Sequence, residues 1–330
     1  MTLPLAVTLG EPAGIGPDIT ITAWHRRNEL QLPPFYVVGD ARFLAQRAQQ
    51  LGFSAPVCEA APKEAADAFA QALPVADLGL NIVTRSGRPD EAGARAAIAA
   101  IERATSDVLD GAAAALVTNP IAKSVLYAQG FSAPGHTEFL AQFVAARTGQ
   151  PARSVMMLWC EELAVVPITI HTPLKNVPAE LTPDLIVETG RILARDLKTR
   201  FGIGQPRIAI SGLNPHAGEH GTIGDEEQVV IAPAIERLRA EGVDIRGPLA
   251  ADSMFYPRAR ASYDAALTAY HDQALIPIKT IAFDHAVNVT LGLPLVRTSP
   301  DHGTAFNLAG TGRANPSSFI AALRLAARLS

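Results

Sequence analysis

The chain has 330 residues, a formal net charge of -4 and a sequence pI of about 6.1. That length exceeds the usual size of one hydrophobic core, so two domains or sub-domains are expected. Hydrophobic residues make up 48% of the chain and charged residues 18%, a balance that favours a folded protein over a disordered one. No cluster of lysines and arginines suggests a nucleic-acid partner, and no run of about 18 apolar residues predicts a membrane span.

The cysteines and the first residues of the chain indicate where the protein works. Cys58 and Cys160 are far apart, and no Cys-x-x-Cys pair occurs. A disulfide framework is therefore not expected, and a reducing compartment fits. Residues 1–10 run straight into a turn and contain no signal-peptide core. We expect a cytoplasmic enzyme or binding protein.

Short apolar runs alternate with longer, alanine-rich segments along the whole chain. Strands are expected at 3–9, 35–38, 114–117, 163–170, 207–210 and 265–269, and helices at 91–109, 138–147, 183–200, 226–241 and 317–329. This alternation predicts an α/β fold with a largely parallel sheet. The segment 264–281 lacks a helical period and is expected to carry strands in succession. No Pro- or Ser-rich linker marks a domain boundary, so the chain can cross between domains more than once.

Three histidines follow predicted strands in similar contexts: His171, His216 and His271. In open α/β sheets, ligands bind beyond the carboxyl ends of the strands. Three imidazoles gathered there suit a divalent metal ion with open positions for a substrate. A single such histidine more often caps a strand, and the long separations are not a compact metal signature. His220 is an alternative to His216, although glycine-rich sequence surrounds it.

A phosphate or carboxylate site is expected where Gly-His-Thr-Glu (135–138) precedes an apolar run. Thr137 is the expected helix N-cap, which would leave the N–H groups of the first turn free to bind an anion beside His136. The alternative is an ordinary helix start with a surface histidine.

Further polar residues stand in apolar surroundings near the end of the chain. Lys279 and Arg297 each end an apolar run, and Asn288 lies midway between them. A cation at the end of a buried strand is unfavourable unless it meets an anion. The alternatives are a structural ion pair or a solvated strand end. Asp252 and Asp272 are candidate bases, or partners that orient a metal-bound imidazole, and otherwise turn or cap residues.

Two glycine-containing loops bear on a cofactor. The first, at 10–18, lacks the third glycine of the Rossmann fingerprint and contains Pro17, so neither a standard Rossmann domain nor a P-loop is predicted. The second, at 301–316, is long and rich in small residues. Glycines allow a backbone to approach a ligand closely, and loops of this length are usually functional.

Three phrases resemble the isocitrate and isopropylmalate dehydrogenase superfamily: Gly-Ile-Gly-Pro-Asp (14–18), His-Gly-Thr-Ala (302–305) and Ala-Asn-Pro (314–316). The resemblance implies two α/β/α sub-domains flanking a cleft, not a standard Rossmann domain. We expect one sub-domain from residues 1–124 plus 292–330, with the dinucleotide loop. Residues 125–291 would form the other, with the metal ligands and the dimer interface.

Three more phrases narrow the resemblance: Gly-His-Thr-Glu (135–138), Asn-Pro-His-Ala-Gly-Glu (214–219) and Tyr-His-Asp-Gln (270–273). With the three histidines they are similar to the 4-hydroxythreonine-4-phosphate dehydrogenase family of vitamin B6 synthesis. The resemblance covers nearly the whole chain, and the set is far more specific than any one motif.

The resemblance implies a role for each matching residue. The metal ligands would be His171, His216 and His271. The substrate contacts would be His136, Thr137, Lys279, Asn288 and Arg297. The dinucleotide contacts would come from Gly303, Thr304, Ala305, Gly310, Gly312 and Asn315. Asp252 or Asp272 would be the catalytic base. The active site would be shared within a homodimer, with His271 supplied across the interface.

The implied reaction is the oxidation of 4-phosphooxy-L-threonine with NAD or NADP and one zinc, cobalt, magnesium or manganese ion per site. The product, 2-amino-3-oxo-4-phosphooxybutanoate, would lose carbon dioxide to give 3-amino-2-oxopropyl phosphate. A paralogous dehydrogenase of 4-phospho-erythronate or threonate is the nearest alternative. A phosphate acyltransferase needs no histidine triad, and a non-catalytic metal-binding protein needs neither the C-terminal loop nor the cations.

Overall fold

The computed structural model describes residues 3–122 and 135–330. Along these ranges the strands are β1 (Leu5–Thr8), β2 (Phe35–Gly39), β3 (Val57–Glu59), β4 (Leu73–Asp77), β5 (Leu116–Val117), β6 (Val155–Cys160), β7 (Leu163–Thr169), β8 (Arg207–Ser211), β9 (Asp244–Leu249), β10 (Ala265–Tyr270), β11 (Val287–Leu291) and β12 (Arg297–Pro300). The helices are α1 (Gly16–His25), α2 (Arg27–Leu30), α3 (Ala41–Gln50), α4 (Ala65–Ala68), α5 (Glu91–Leu109), α6 (His136–Thr148), α7 (Val177–Glu180), α8 (Pro183–Thr199), α9 (Ala232–Ala240), α10 (Pro257–Arg260), α11 (His271–Ala282) and α12 (Ser317–Leu329). Among the described helices, none has the length and apolar character needed to span a membrane.

The chain divides into two compact units. The first comprises Met1–Ser154 with Leu293–Ser330, and the second comprises Val155–Gly292. The last part of the chain therefore returns to the first unit. The boundary expected between residues 124 and 125 lies outside the described residues, and α6 belongs to the first unit.

The first unit contains a parallel sheet with the strand order β3-β4-β2-β1-β5-β12. Helices pack against this sheet and bury large aromatic side chains. Phe35 on β2 and Phe319 on α12 are fully buried, and their rings meet edge to face with centroids 6.3 Å apart. This geometry is the preferred one for aromatic pairs, so the C-terminal helix contributes directly to the core.

The second unit has the strand order β11-β6-β7-β10-β8-β9. The four strands β7, β10, β8 and β9 run parallel, whereas β6 and β11 pair antiparallel at the other side. Its core includes Leu158, Val165 and Ala266 from the sheet and Ile278 from α11. The predicted α/β class with a largely parallel sheet is confirmed.

The prediction of successive strands over 264–281 is wrong beyond Tyr270, because α11 begins at His271. Pro277 and the neighbouring isoleucines lower the helical propensity of this segment. However, Ala274, Ile278 and Ala282 recur at helical spacing and are completely buried. Burial of this face outweighs the unfavourable local propensity.

Cysteine reactivity tests the packing of β6. Cys160 is buried, and burial raises the pKa of its thiol to about 11. We expect Cys160 to resist a thiol reagent at pH 8 in the native protein, because the reagent cannot reach the buried sulfur and the thiol stays protonated. Half-buried Cys58 should react first. Absorbance with a chromogenic disulfide measures this, with Cys58→Ser as the control. Two fast-reacting thiols in the native wild type would contradict the burial of Cys160.

Candidate functional site

Three neighbouring parallel strands of the second unit end beside one another. Tyr270 of β10 lies opposite Thr169 of β7, and Leu267 of β10 lies opposite Ile210 of β8. His271 directly follows β10, His171 comes two positions after the last residue of β7, and His216 lies in the loop after β8. Because parallel strands present their carboxyl ends at one edge, all three histidines follow the same edge of this sheet.

A cavity of about 450 Å³ brings two of the histidines together. His171 and His271 line it with Ile170, Tyr270 and neighbouring residues, whereas His216 is not among its lining residues. Over residues 3–122 and 135–330, no three His, Cys, Asp or Glu side chains come close enough to hold a metal ion.

Asp272 orients the imidazole of His271. The Oδ1 atom of Asp272 lies 2.7 Å from Nδ1 of His271. A neutral imidazole that donates through Nδ1 keeps the Nε2 lone pair for a metal ion. Asp252 is exposed in a 3-10 turn, Ala251–Ser253, which packs against the segment that carries His216.

Gln273 connects the ends of β8 and β10. Its Oε1 accepts hydrogen bonds from Ser211 Oγ at 2.7 Å and from the Ala269 amide at 2.8 Å. Its Nε2 donates to the Gly212 carbonyl oxygen at 2.9 Å. These bonds fix the spacing of the two strand ends from which His216 and His271 project.

A buried guanidinium forms the centre of the candidate anion site in the first unit. Arg297 is 3% exposed, and its Nε donates to Thr118 Oγ1 at 3.0 Å. Nη2 of the same guanidinium lies 3.4 Å from Nδ1 of His136. Burial lowers the pKa of Arg297 to about 10, an effect that the negative charge of Glu138 opposes. The guanidinium remains cationic at neutral pH and can bind a phosphate or carboxylate.

Two local predictions for this region are wrong. The N-cap of α6 is Gly135, with no side-chain cap bond, and Thr137 lies inside the first helical turn. Arg297 begins strand β12 instead of ending an apolar strand. Both errors concern element boundaries, which local sequence patterns define to within only a few residues.

Lys279 and Asn288 belong to the second unit. Lys279 lies in α11, so its predicted position at a strand end is wrong, and its Nζ is 5.9 Å from the ring centre of Phe283. Asn288 lies in β11, opposite Leu158 of β6. Its buried Oδ1 has no hydrogen-bond partner among the described residues.

The glycine-containing turn at 10–18 is buried beneath the C-terminal loop. A Cβ atom at Gly14 would lie 2.9 Å from the carbonyl oxygen of Thr304, so only glycine fits this approach. The Ile15 amide donates to that same oxygen at 3.0 Å. The turn therefore supports the loop at 301–316.

A buried ion pair holds the two loops together. The carboxylate of Asp18 pairs with Arg47 of α3, and its Oδ2 accepts from the Gly310 amide at 2.6 Å. Arg47 also donates to the Pro12 carbonyl oxygen at 2.7 Å. Burial raises the pKa of Asp18, and the guanidinium opposes that shift.

Sequence reasoning missed Thr118, Gln273 and the Asp18–Arg47 pair as supporting groups. Gln273 stands inside a phrase that the sequence singled out, and Thr118 follows a short strand. Arg47 carried no signal, because an arginine in an amphipathic helix is usually solvated. Its burial accompanies bonds to Pro12, Gly14 and Asp18, which lie about 30 residues earlier in the chain.

Comparison with known proteins gives close relatives along nearly the whole chain. The model of the family described as pyridoxal phosphate biosynthetic protein PdxA matches residues 31–326. A 4-hydroxythreonine-4-phosphate dehydrogenase of Bradyrhizobium diazoefficiens is 59% identical over 335 aligned positions, covering 99% of this chain and 97% of the relative. One of Xanthobacter autotrophicus is also 59% identical, with 99% and 93% covered. The crystal structure of a 4-hydroxythreonine-4-phosphate dehydrogenase from Klebsiella pneumoniae covers 100% of this chain and 99% of its own, at 36% identity and a TM-score of 0.87.

The Asp18–Arg47 pair can be tested by unfolding. Asp18→Asn should lower the free energy of unfolding by about 3–5 kcal/mol, because Arg47 would stay buried without its counter-charge. Glu29→Gln is the control, since the exposed Glu29–Arg26 pair is screened by solvent and should leave stability unchanged. Denaturant titration measures both variants. An equal effect of the two substitutions would show that the buried pair has no special importance.

Proposed function

The chain belongs to the family of pyridoxal phosphate biosynthetic proteins PdxA, as its motifs predicted, and from this membership we propose its reaction. It oxidises 4-phosphooxy-L-threonine with NAD or NADP, using one divalent metal ion per site. The product then loses carbon dioxide to give 3-amino-2-oxopropyl phosphate. The observation that carries this proposal is the placement of His171, His216 and His271 at the ends of three adjacent strands.

The histidines fit a metal ion chemically. His171 and His216 are exposed, and the hydrogen bond to Asp272 leaves Nε2 of His271 available. Imidazole nitrogens favour zinc or cobalt over magnesium or manganese. When bound, the metal would act as a Lewis acid that makes the substrate hydroxyl more acidic.

We propose that a second copy of the chain completes the ligand set, with His271 as the residue supplied across a homodimer interface. Ile276 in α11 and Phe283, the residue that follows this helix, support the interface, since their side chains are 65% and 74% exposed. Large exposed apolar residues that lie close together often mark an interaction surface.

The dinucleotide would accept the hydride that leaves the carbinol carbon. A base would take the hydroxyl proton as the C=O bond forms. The resulting β-keto acid then loses carbon dioxide, the electron pair of the broken C–C bond passes to the ketone, and a proton adds to the carbon. Because Asp272 is engaged with His271, we assign the base to Asp252, which lies near the His216 segment. Asp272 orients the imidazole.

The remaining residues would bind the two ligands. Arg297 and His136 hold an anionic group of the substrate, with Thr118 fixing the guanidinium. Thr137, Lys279 and Asn288 are the other proposed substrate contacts. The dinucleotide would lie along the C-terminal loop, near Gly303, Thr304, Ala305, Gly310, Gly312 and Asn315. The ion pair of Asp18 and Arg47 holds that loop through the bond from the Gly310 amide to Asp18.

The reaction can be tested by absorbance at 340 nm with 4-phosphooxy-threonine and NAD or NADP. We expect reduced cofactor to form only with a divalent metal, to stop with chelator, and to return when metal is added. His216→Ala should lose turnover and bound metal together. A fully active, metal-loaded His216→Ala would refute the ligand assignment. Activity with 4-phospho-erythronate or threonate instead would favour the paralogous dehydrogenases.

Arg297→Ala tests the anion site. Losing a charge-assisted contact should lower kcat/KM for the phosphorylated substrate by roughly 10- to 100-fold. KM rises if Arg297 binds the substrate equally well in the ground state and in the transition state. If the contact tightens in the transition state, kcat falls instead. Arg324→Ala on α12 is the control, because this exposed guanidinium donates to the Leu30 carbonyl oxygen at 2.7 Å. An unchanged kcat/KM in folded Arg297→Ala would remove this residue from the site.

A further inference from the structure

The segment that carries His216 has a left-handed backbone. His216, Ala217, Gly218, Glu219 and His220 have φ values of 51°, 52°, 76°, 41° and 57°. Four of these five residues have a Cβ atom, which makes such a run unfavourable. Conformations of this kind persist only where the surrounding structure imposes them, and they concentrate at functional sites.

A buried carboxylate holds this turn. Glu227 is 3% exposed, and its Oε1 accepts from the backbone amide of Asn214 at 2.7 Å. Its Oε2 accepts from the side-chain Nδ2 of Asn214 at 3.0 Å. Both oxygens of Glu227 thus bind the residue that starts the turn, two positions before His216.

The turn fits closely around the carboxylate. A Cβ atom at Gly218 would lie 2.5 Å from Oε2 of Glu227, and one at Gly212 would lie 2.9 Å from its Oε1. Only glycine can occupy these two positions while the carboxylate is in place. Glu227 is also the first residue of a π-helical turn, Glu227–Ile231, an irregularity that is frequent at functional sites.

His216 itself is exposed, so apolar packing does not fix its position. The local backbone bonds, such as Ala217 N to Asn214 O at 3.1 Å, lie within the turn and do not attach it to the rest of the unit. Side-chain bonds attach it through Asn214 to Glu227, and the 3-10 turn Ala251–Ser253 packs against the same segment. Glu226 adds a further acceptor for Asn214 Nδ2 at 2.7 Å.

We propose that Glu227 is a positioning residue that, through Asn214, holds residues 216–220 in their left-handed conformation and so presents His216 to the metal ion. This rests on the proposed function in taking His216 as a ligand. Glutamine cannot replace the carboxylate, because its amide offers one acceptor oxygen and turns a donor toward the N–H groups of Asn214. Such outer partners of a metal ligand typically change metal affinity by about 10- to 100-fold.

The experiment compares Glu227→Gln with Glu219→Gln. Glu219 is exposed in the same turn, so its substitution removes the same charge without removing the bonds to Asn214. In the metal-free protein, Glu227→Gln should speed amide hydrogen exchange of residues 214–224, while the core strands keep their protection. In a cobalt titration followed by visible absorption, Glu227→Gln should bind the ion about 10- to 100-fold more weakly. Glu219→Gln should match the wild type in both measurements.

A second variant guards against a general folding defect. Gly218→Ala keeps the carboxylate but disturbs the same turn independently, since a methyl group would lie 2.5 Å from Oε2 of Glu227 and the φ of 76° disfavours alanine, so the same loss of protection and of cobalt affinity is expected. Wild-type exchange at 214–224 in Glu227→Gln would overturn the proposal, and so would faster exchange with unchanged cobalt affinity. The ligand assignment is judged separately by His216→Ala. If that variant keeps wild-type affinity, the proposed metal role of His216 fails, whereas the exchange of Glu227→Gln still decides whether Glu227 holds the turn.

Discussion

The parallel alignment of β7, β10 and β8 is the constraint on which the candidate metal site depends. Because the three strands run in one direction, the residues that follow them meet at one edge of the sheet. The strands β8 and β10 are far apart along the chain, yet Gln273 connects their ends directly through hydrogen bonds. A register shift of one residue would reverse the direction of the side chains and disperse this set.

Buried charge plays a different part in the first unit. Arg297 and the Asp18–Arg47 pair are nearly inaccessible to water, and each is unfavourable unless its partners are in place. Asp18, paired with Arg47, joins the first turn to a loop near the end of the chain, and Arg297 places a cation beside His136. Polar groups therefore define the positions of two candidate ligand loops, while the aromatic core supplies the general stability of the unit.

Much of this could be predicted from the sequence. Alternating apolar runs identified the α/β class, and the helices at 91–109 and 317–329 have the predicted bounds. The motifs identified the family correctly. The helix that starts at His271 was missed, because Pro277 and the isoleucines disguise its period. The N-cap of α6 was placed at Thr137, since local sequence indicates a helix start only to within a few residues.

The sequence by itself determined which chemical groups are present and which strands and helices carry them. The histidines, the small-residue loop and the cations follow from patterns whose physical basis is local, such as strand ends and glycine flexibility. Only the tertiary structure decided which groups support them. The bonds of Glu227 to Asn214, of Thr118 to Arg297 and of Asp18 to Gly310 join segments whose proximity depends on chain packing. No local pattern carries that information, because an Asp or Glu residue looks the same in the sequence whether its carboxylate is buried or solvated.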